Sequence, residues 1–305
     1  MRRHDYRLRQ FLRVHSFFIV FVFVASAVTA KTASAQVDLS GVWAEKLHED
    51  WNARGDVFIG DYVSLPINDA TRMRADTWDA EQWTMREYVC HEQPGDYLPR
   101  APSDMRIWAE VDPLTQGVSA WHAVIKELLA ERTIYMDGRP HPPEFAPRTW
   151  QGFSTGEWVG DMLKVTTTHL KEGYLRRNGL ARSEKATMTE YFIRYQNNLT
   201  LLTIVDDPVY LTEPFLITSD WVMDIGRQLP PNFCTNGEEI KHPKGWVAYH
   251  LPGQNQWLHE FAQRSGIPYE ATRGGAETMY PEYQKKLAKM PIPPKLGSET
   301  SGEGK

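Results

Sequence analysis

Through the middle of the chain, apolar and polar residues alternate in short runs separated by turn formers, the period-two pattern of half-buried strands. Met105–Val111, Val118–Ile125 and Arg132–Met136 are predicted strands on this pattern. In EWVGDMLKVTTTHL, Trp158 and Val159 lead into Gly160-Asp161. Leu163, Val165 and Thr167 then alternate with Lys164 and Thr166, which predicts a hairpin. ATMTEYFIRYQNNLTLLTIVDD predicts a second hairpin turning at Asn197-Asn198, with β-branched residues after the turn. Phe215–Asp224 adds one or two strands, and VDLSGVWAE (37–45) is a short apolar opening. Successive strands with tight turns and no helices between them predict a mainly β, antiparallel sheet. Closure into a barrel would remove its exposed edges.

Three other stretches have helical spacing. Residues 66–90 offer Asn68 or Asp69 as a cap and place Met73, Trp78, Met85 and Val89 at roughly helical intervals. QNQWLHEFAQRSG (254–266) reads as an amphipathic helix and PEYQKKLAKM (281–290) as another. The expected organisation is a β-barrel domain over 36–252 with a helical insertion at 66–90. A C-terminal helical extension over 253–290 follows, then a disordered tail over 291–305 rich in Pro, Gly, Ser and Glu.

The N-terminus has a different character. Arg2, Arg3, Arg7, Arg9 and Arg13 precede an apolar run from Phe17 to about Ala27, and Ala33-Ser34-Ala35 fits a cleavage site before Gln36. Residues 1–35 are therefore expected to be a signal peptide, with the mature chain periplasmic or secreted and no other segment able to span a membrane. Taking five Arg, one Lys and one Asp from 34 basic and 39 acidic residues leaves 28 and 38, a net charge of −10. Such a balance disfavours nucleic acid and anionic lipid as partners. An oxidising compartment makes a disulfide between the two cysteines, Cys90 and Cys234, an option. Closing a loop of that length would contribute roughly 4 kcal/mol on the chain-entropy model.

Candidate chemistry gathers in TIYMDGRPHPP (133–143), where Asp137, Arg139 and His141 follow a predicted strand. Asp-Gly is a strong turn signal, and Pro140, Pro142 and Pro143 stiffen the exit loop. Held over a barrel mouth, Arg139 could clamp a carboxylate and His141 could move a proton. The alternative is structural, with Asp137 pairing Arg139 and His141 capping the loop. His169 at the end of one strand and Glu190 within another could face a common cavity as an acid/base pair, and His122 lies in the apolar strand VSAWHAVI. Tyr135, Asp137, Trp150 and Trp158 are candidate ligand contacts. Gly152-Phe153-Ser154-Thr155-Gly156 has the letters of a hydrolase elbow but runs into a hairpin, the wrong context for one. No spacing commits the histidines to a metal, and no Gly-rich nucleotide loop points to an organic cofactor.

Five segments carry a resemblance: GVW (41–43), CHEQPGDYLPR (90–100), RTIYMDGRPHP (132–142), TWQGFSTGEWVGDMLKVTTT (149–168) and DDPVYLTEPF (206–215). Together they resemble a largely uncharacterised family of exported bacterial proteins with a calycin- or lipocalin-like β-barrel. The likeness runs from about Gly41 to Cys234 and implies that fold and export. The chain departs from the family pattern at Met162, where Thr is usual, at Arg182-Ser183, where His-Ser is common, and at Glu190-Tyr191, where Glu-Arg is common.

With 11 Trp, 13 Tyr and 12 Phe, the chain is rich in the side chains that wall an apolar site. The first expectation is a binder of a small hydrophobic or aromatic molecule, with a carboxylate as one option. The alternative is a cofactor-independent enzyme acting on such a molecule by lyase, isomerase, decarboxylase or hydrolase chemistry. The third is a structural or assembly protein of the cell envelope.

Overall fold

The computed structural model describes residues 36–47, 50, 54, 57–85, 88, 90–100, 103–126, 130–229 and 241–294. The expected signal peptide, Cys234 and most of the expected disordered tail lie outside the described residues. The chain divides into Met1–Val37 and Asp38–Lys305, and the barrel belongs to the second part. Among the described residues no helix is long and apolar enough to cross a membrane.

The strands are β1 (Gly41–Lys46), β2 (Met105–Val111), β3 (Val118–Ile125), β4 (Glu131–Tyr135), β5 (Phe153–Val159) and β6 (Met162–Thr168). A small ribbon follows, β7 (Gly173–Tyr174) and β8 (Ala181–Arg182), then β9 (Thr187–Tyr195), β10 (Asn198–Asp206) and β11 (Phe215–Met223). Nine of them close into a barrel in the order β1-β11-β10-β9-β6-β5-β4-β3-β2, with β2 returning to β1. The expected barrel is present, but it is mixed rather than purely antiparallel, because β4 and β5 run parallel through Ile134–Ser154 and Tyr135–Thr155. Parallel neighbours need a crossover connection. Residues 136–152, the stretch with DGRPHPP, carry the chain back outside the sheet. Asp137-Gly138 is accordingly no hairpin turn. Asp137 Oδ1 accepts from the Arg139 N–H at 3.2 Å, and only Gly138 of the pair takes positive φ, 71°. Gly160-Asp161 does turn β5 into β6, and the second hairpin turns at Gln196-Asn197, one residue earlier than expected.

The helices are short. Asn68 caps α1 (Asp69–Asp76) by accepting from Thr71 N at 3.0 Å. The expected long helix ends there, since Trp78 forms a bridge to Tyr249 and Asp79 caps a separate 3₁₀ turn over Ala80–Thr84. Next comes α2 (Tyr97–Arg100). At the C-terminal end a 3₁₀ turn over Gln256–His259 runs into α3 (Glu260–Ser265), stopped by left-handed Gly266, and α4 (Pro281–Leu287) starts with proline at its first position.

Large side chains occupy the inward positions of the barrel: Trp43, Met105, Trp121, Phe192, Leu201 and Trp221 are all buried. One opening is stoppered. Ser219 Oγ and the Trp221 indole of β11 donate to the carbonyls of Pro99 and Ser103 at 2.8 Å each, and buried Arg54 donates to Pro99 O and Ser219 Oγ. A second apolar cluster, including Tyr62, Leu65, Ile67, Leu170, Leu180, Met188 and Val205, ties β9 and β10 to the N-terminal segment and the ribbon.

A polar belt crosses this apolar interior. Arg132 of β4 reaches past β5 and β6 to β9. Its Nε donates to Ser154 Oγ at 3.0 Å, and its Nη2 to Thr167 Oγ1 and to Glu190 Oε2 at 2.5 Å each. Glu190 is 0 % exposed, and its Oε1 and the hydroxyl of Thr203, opposite it on β10, have no partner. A buried pair of this kind is costly to break but replaceable as a unit. Glu190→Leu should therefore lower unfolding free energy by about 3–5 kcal/mol by stranding Arg132. The double variant Arg132→Met/Glu190→Leu should recover most of that loss in urea titrations. Additive losses would contradict this account.

Candidate functional site

Among the described residues, two clefts draw lining residues from the segment that leaves β6. At its start His169 takes a left-handed φ of 58° and turns the chain.

The first cleft is aromatic. Its walls come from seven separate stretches: Arg74 of α1, Trp83, Tyr88 with His91, Arg100 of α2, Trp150, Tyr174 of β7 with Glu172, and Tyr249. His91 stacks on Trp150 with ring centroids 4.7 Å apart and planes 5° apart. Trp83 meets Tyr88 and Tyr174 edge-on at 6.2 and 5.6 Å. The cavity measures about 140 Å³. An apolar cavity of roughly 150 Å³ admits benzene, so a single ring fits this volume.

The polar groups of this cleft are few. Arg74 pairs with Glu172. Arg100 is buried, its Nη1 donates to the Tyr174 carbonyl at 2.8 Å, and its guanidinium lies 4.7 Å over the Tyr97 ring. Its Nε and the Trp83 indole N–H are buried with no partner. Asp96, which acts on Arg100 electrostatically, accepts on Oδ2 from Arg182 Nε at 2.8 Å. Burial pulls the Arg100 pKa below its ordinary value. Because arginine stays protonated in proteins, that pull marks a buried positive charge short of compensation. Lys171 over Trp150 and Arg177 over Trp83 add positive charge nearby. Burial also pushes the Tyr174 phenol well above its usual range, so it stays protonated.

The second cleft, about 400 Å³, lies between the DGRPHPP loop and the start of β9, and His141, Arg148, Thr168, His169 and Lys185 line it. His141 Nε2 and Nδ1 contact Thr155 Oγ1 at 2.9 Å and Thr168 Oγ1 at 2.7 Å, and Thr168 Oγ1 contacts His169 Nδ1 at 2.8 Å. His169 Nε2 contacts the Pro143 carbonyl at 2.9 Å. A carbonyl only accepts, so His169 carries its proton on Nε2 and takes the Thr168 proton on Nδ1. His141 must then donate from Nδ1 to Thr168 and accept from Thr155 on Nε2. One set of neutral tautomers thus satisfies the whole relay, and both nitrogens of both rings are engaged. Burial first, then the facing His169, lowers the His141 pKa below 6.5.

Among the sequence-selected residues, the structure brings His141 and His169 together. It does not join His169 to Glu190, whose partner is Arg132 inside the barrel. His122 faces outward on β3, stacked on Trp108 and contacting Glu110 Oε2 at 3.1 Å. Arg139 lies at the surface, paired with Asp137 at 2.5 Å and 3.8 Å over the Tyr135 ring, away from either cleft. That guanidinium pulls the Asp137 carboxyl down to about 2. Trp150 walls the aromatic cleft. Trp158 is paired with Leu163 on an inward position, its indole N–H unpartnered. Ser154 of the elbow-like string belongs to the buried belt, bonded to Arg132 and Thr167. Arg182, one of the departures, is fully buried and holds Asp96, Ser183 O and Lys171 O.

Sequence reasoning missed Trp83, Tyr88, His91, Arg100, Tyr174 and Tyr249. CHEQPGDYLPR contained two of them, and an arginine ending an apolar stretch was the available signal. Among the described residues no group of three or more His, Cys, Asp or Glu is placed to hold a metal ion. Comparison with protein-family models, curated proteins and solved structures gave no match.

The relay predicts a pH effect. A folded His141 pKa below 6.5 means that the unfolded chain takes up a proton the folded chain resists. The stability contributed is present above about pH 6.5 and lost as pH falls towards the folded pKa. Melting temperature of the wild type should fall more steeply from pH 7 to pH 5 than that of His141→Gln. Equal slopes would exclude His141 as the source.

Proposed function

We propose that this protein binds a small aromatic carboxylate in the cleft formed by Trp83, Tyr88, His91, Trp150 and Tyr174, with Arg100 as the carboxylate partner. The observation that carries this reading is the buried Arg100 guanidinium, which lines an aromatic cavity and keeps an unpartnered Nε. A carboxylate would compensate the charge and accept from Arg100 Nε and the Trp83 indole, while the ring would meet aromatic walls. The enzyme alternative would recruit Thr168, a hydroxyl lining the second cleft between His141 and His169. Its weakness is that neither imidazole has a nitrogen to spare for a substrate.

Calorimetry and tryptophan fluorescence should detect benzoate binding. Arg100→Met should weaken it on the order of 10–100-fold, the scale of a lost charged hydrogen bond, and Arg100→Lys should weaken it less. Benzamide, of the same shape but neutral, should bind worse than benzoate. Equal binding of the two would contradict the assignment.

The same reading puts the mature protein outside the cytoplasm, with residues 1–35 removed and Cys90 joined to Cys234. Cys90 stands between the cleft residues Tyr88 and His91, so that bond would pin this wall. Peptide mapping without reductant should yield a cross-linked Cys90/Cys234 peptide and a mature chain starting at Gln36. Two alkylated cysteines would refute the bond.

A further inference from the structure

We infer that the ligand of the aromatic cleft also carries a hydroxyl group, read by the Tyr174 oxygen, which makes it a hydroxylated aromatic carboxylate. This rests on the cleft reading above and follows from an audit of donors and acceptors around Gln82. The Trp78 indole N–H, which can only donate, lies 3.1 Å from Gln82 Oε1, and this fixes the amide orientation. Tyr174 lies 2.6 Å from the same Oε1 and must spend its proton there; the Trp78 indole N–H also interacts with its oxygen, which keeps one further lone pair for an incoming donor. Gln82 Nε2 faces Tyr249 at 2.8 Å, so the Tyr249 oxygen accepts and its own proton is left to donate.

Both tyrosines line the cleft together with Arg100. The unassigned donors are Arg100 Nε, the Trp83 indole and the Tyr249 hydroxyl, a set suited to a carboxylate. The Tyr174 oxygen is the complementary acceptor and calls for a donor elsewhere on the ligand. A buried polar atom left unmatched by its ligand costs affinity, which is how such a site discriminates between ring substituents. The Glu172 carboxylate also lines the cleft, but Arg74 engages it.

The test compares benzoate, 3- and 4-hydroxybenzoate and 4-methoxybenzoate by calorimetry on the wild type and on Tyr174→Phe. One hydroxybenzoate isomer should bind about 3–10-fold tighter than benzoate. The methoxy compound keeps the oxygen but not the proton and should show no such gain. Tyr174→Phe should remove the hydroxyl advantage, so that within this variant the hydroxybenzoates bind no tighter than benzoate. If benzoate binds and no hydroxyl isomer gains, or the gain survives in Tyr174→Phe, the hydroxyl inference is overturned and the cleft reading stands. If none of the acids binds, both fall. The methoxy comparison needs no variant and decides the point even if Tyr174→Phe does not fold.

Discussion

The Arg132–Glu190 ion pair governs what this barrel can be. Arg132 lies on β4 and Glu190 on β9, with Ser154 and Thr167 bonded between them on β5 and β6. A one-residue slip of any of these strands would turn its polar side chain outward and strand the others in apolar surroundings. The pair therefore specifies the register of four neighbouring strands, including the parallel pairing of β4 with β5. It also occupies the middle of the interior. Trp43, Trp121, Phe192 and Trp221 fill other inward positions, and the segment around Pro99 stoppers one end.

The stopper links the two regions. Pro99 and Ser103 hold the inward face of β11, and Arg100, between them in sequence, turns to the aromatic cleft. Its guanidinium is braced by the Tyr174 carbonyl and the Tyr97 ring, so its unpartnered Nε is positioned by the same packing that closes the barrel. The two histidines serve a different need. They stitch the long crossover loop onto the outward-facing Thr155 and Thr168, which the parallel β4–β5 connection requires.

Local signals in the sequence were strong where the structure is local. Period-two alternation located the strands, and Gly160-Asp161 its hairpin. The same signals failed where distant partners decide. Nothing in TIYMDGRPHPP announces a crossover, because Asp-Gly is equally at home in a hairpin. Residues 66–90 break after α1 because Trp78 finds Tyr249 far along the chain. Arg132 escaped notice because an arginine in a strand normally faces solvent, and Glu190 drew attention without its partner. His141 and His169 were visible as candidates, yet their shared Thr168 proton relay depends on the fold. Apart from Trp150, the aromatic cleft was illegible because its residues come from seven stretches with no common spacing.

On the proposed reading, ligand binds beside the barrel, against Trp83 and Trp150, and not within it. Its most direct test is the indole N–H spectrum of ¹⁵N-labelled protein during titration with an aromatic carboxylate. The Trp83 and Trp150 resonances should move together to saturation while those of Trp121 and Trp158, inside the barrel, stay in place. Movement of Trp121 and Trp158 with Trp83 unchanged would contradict it.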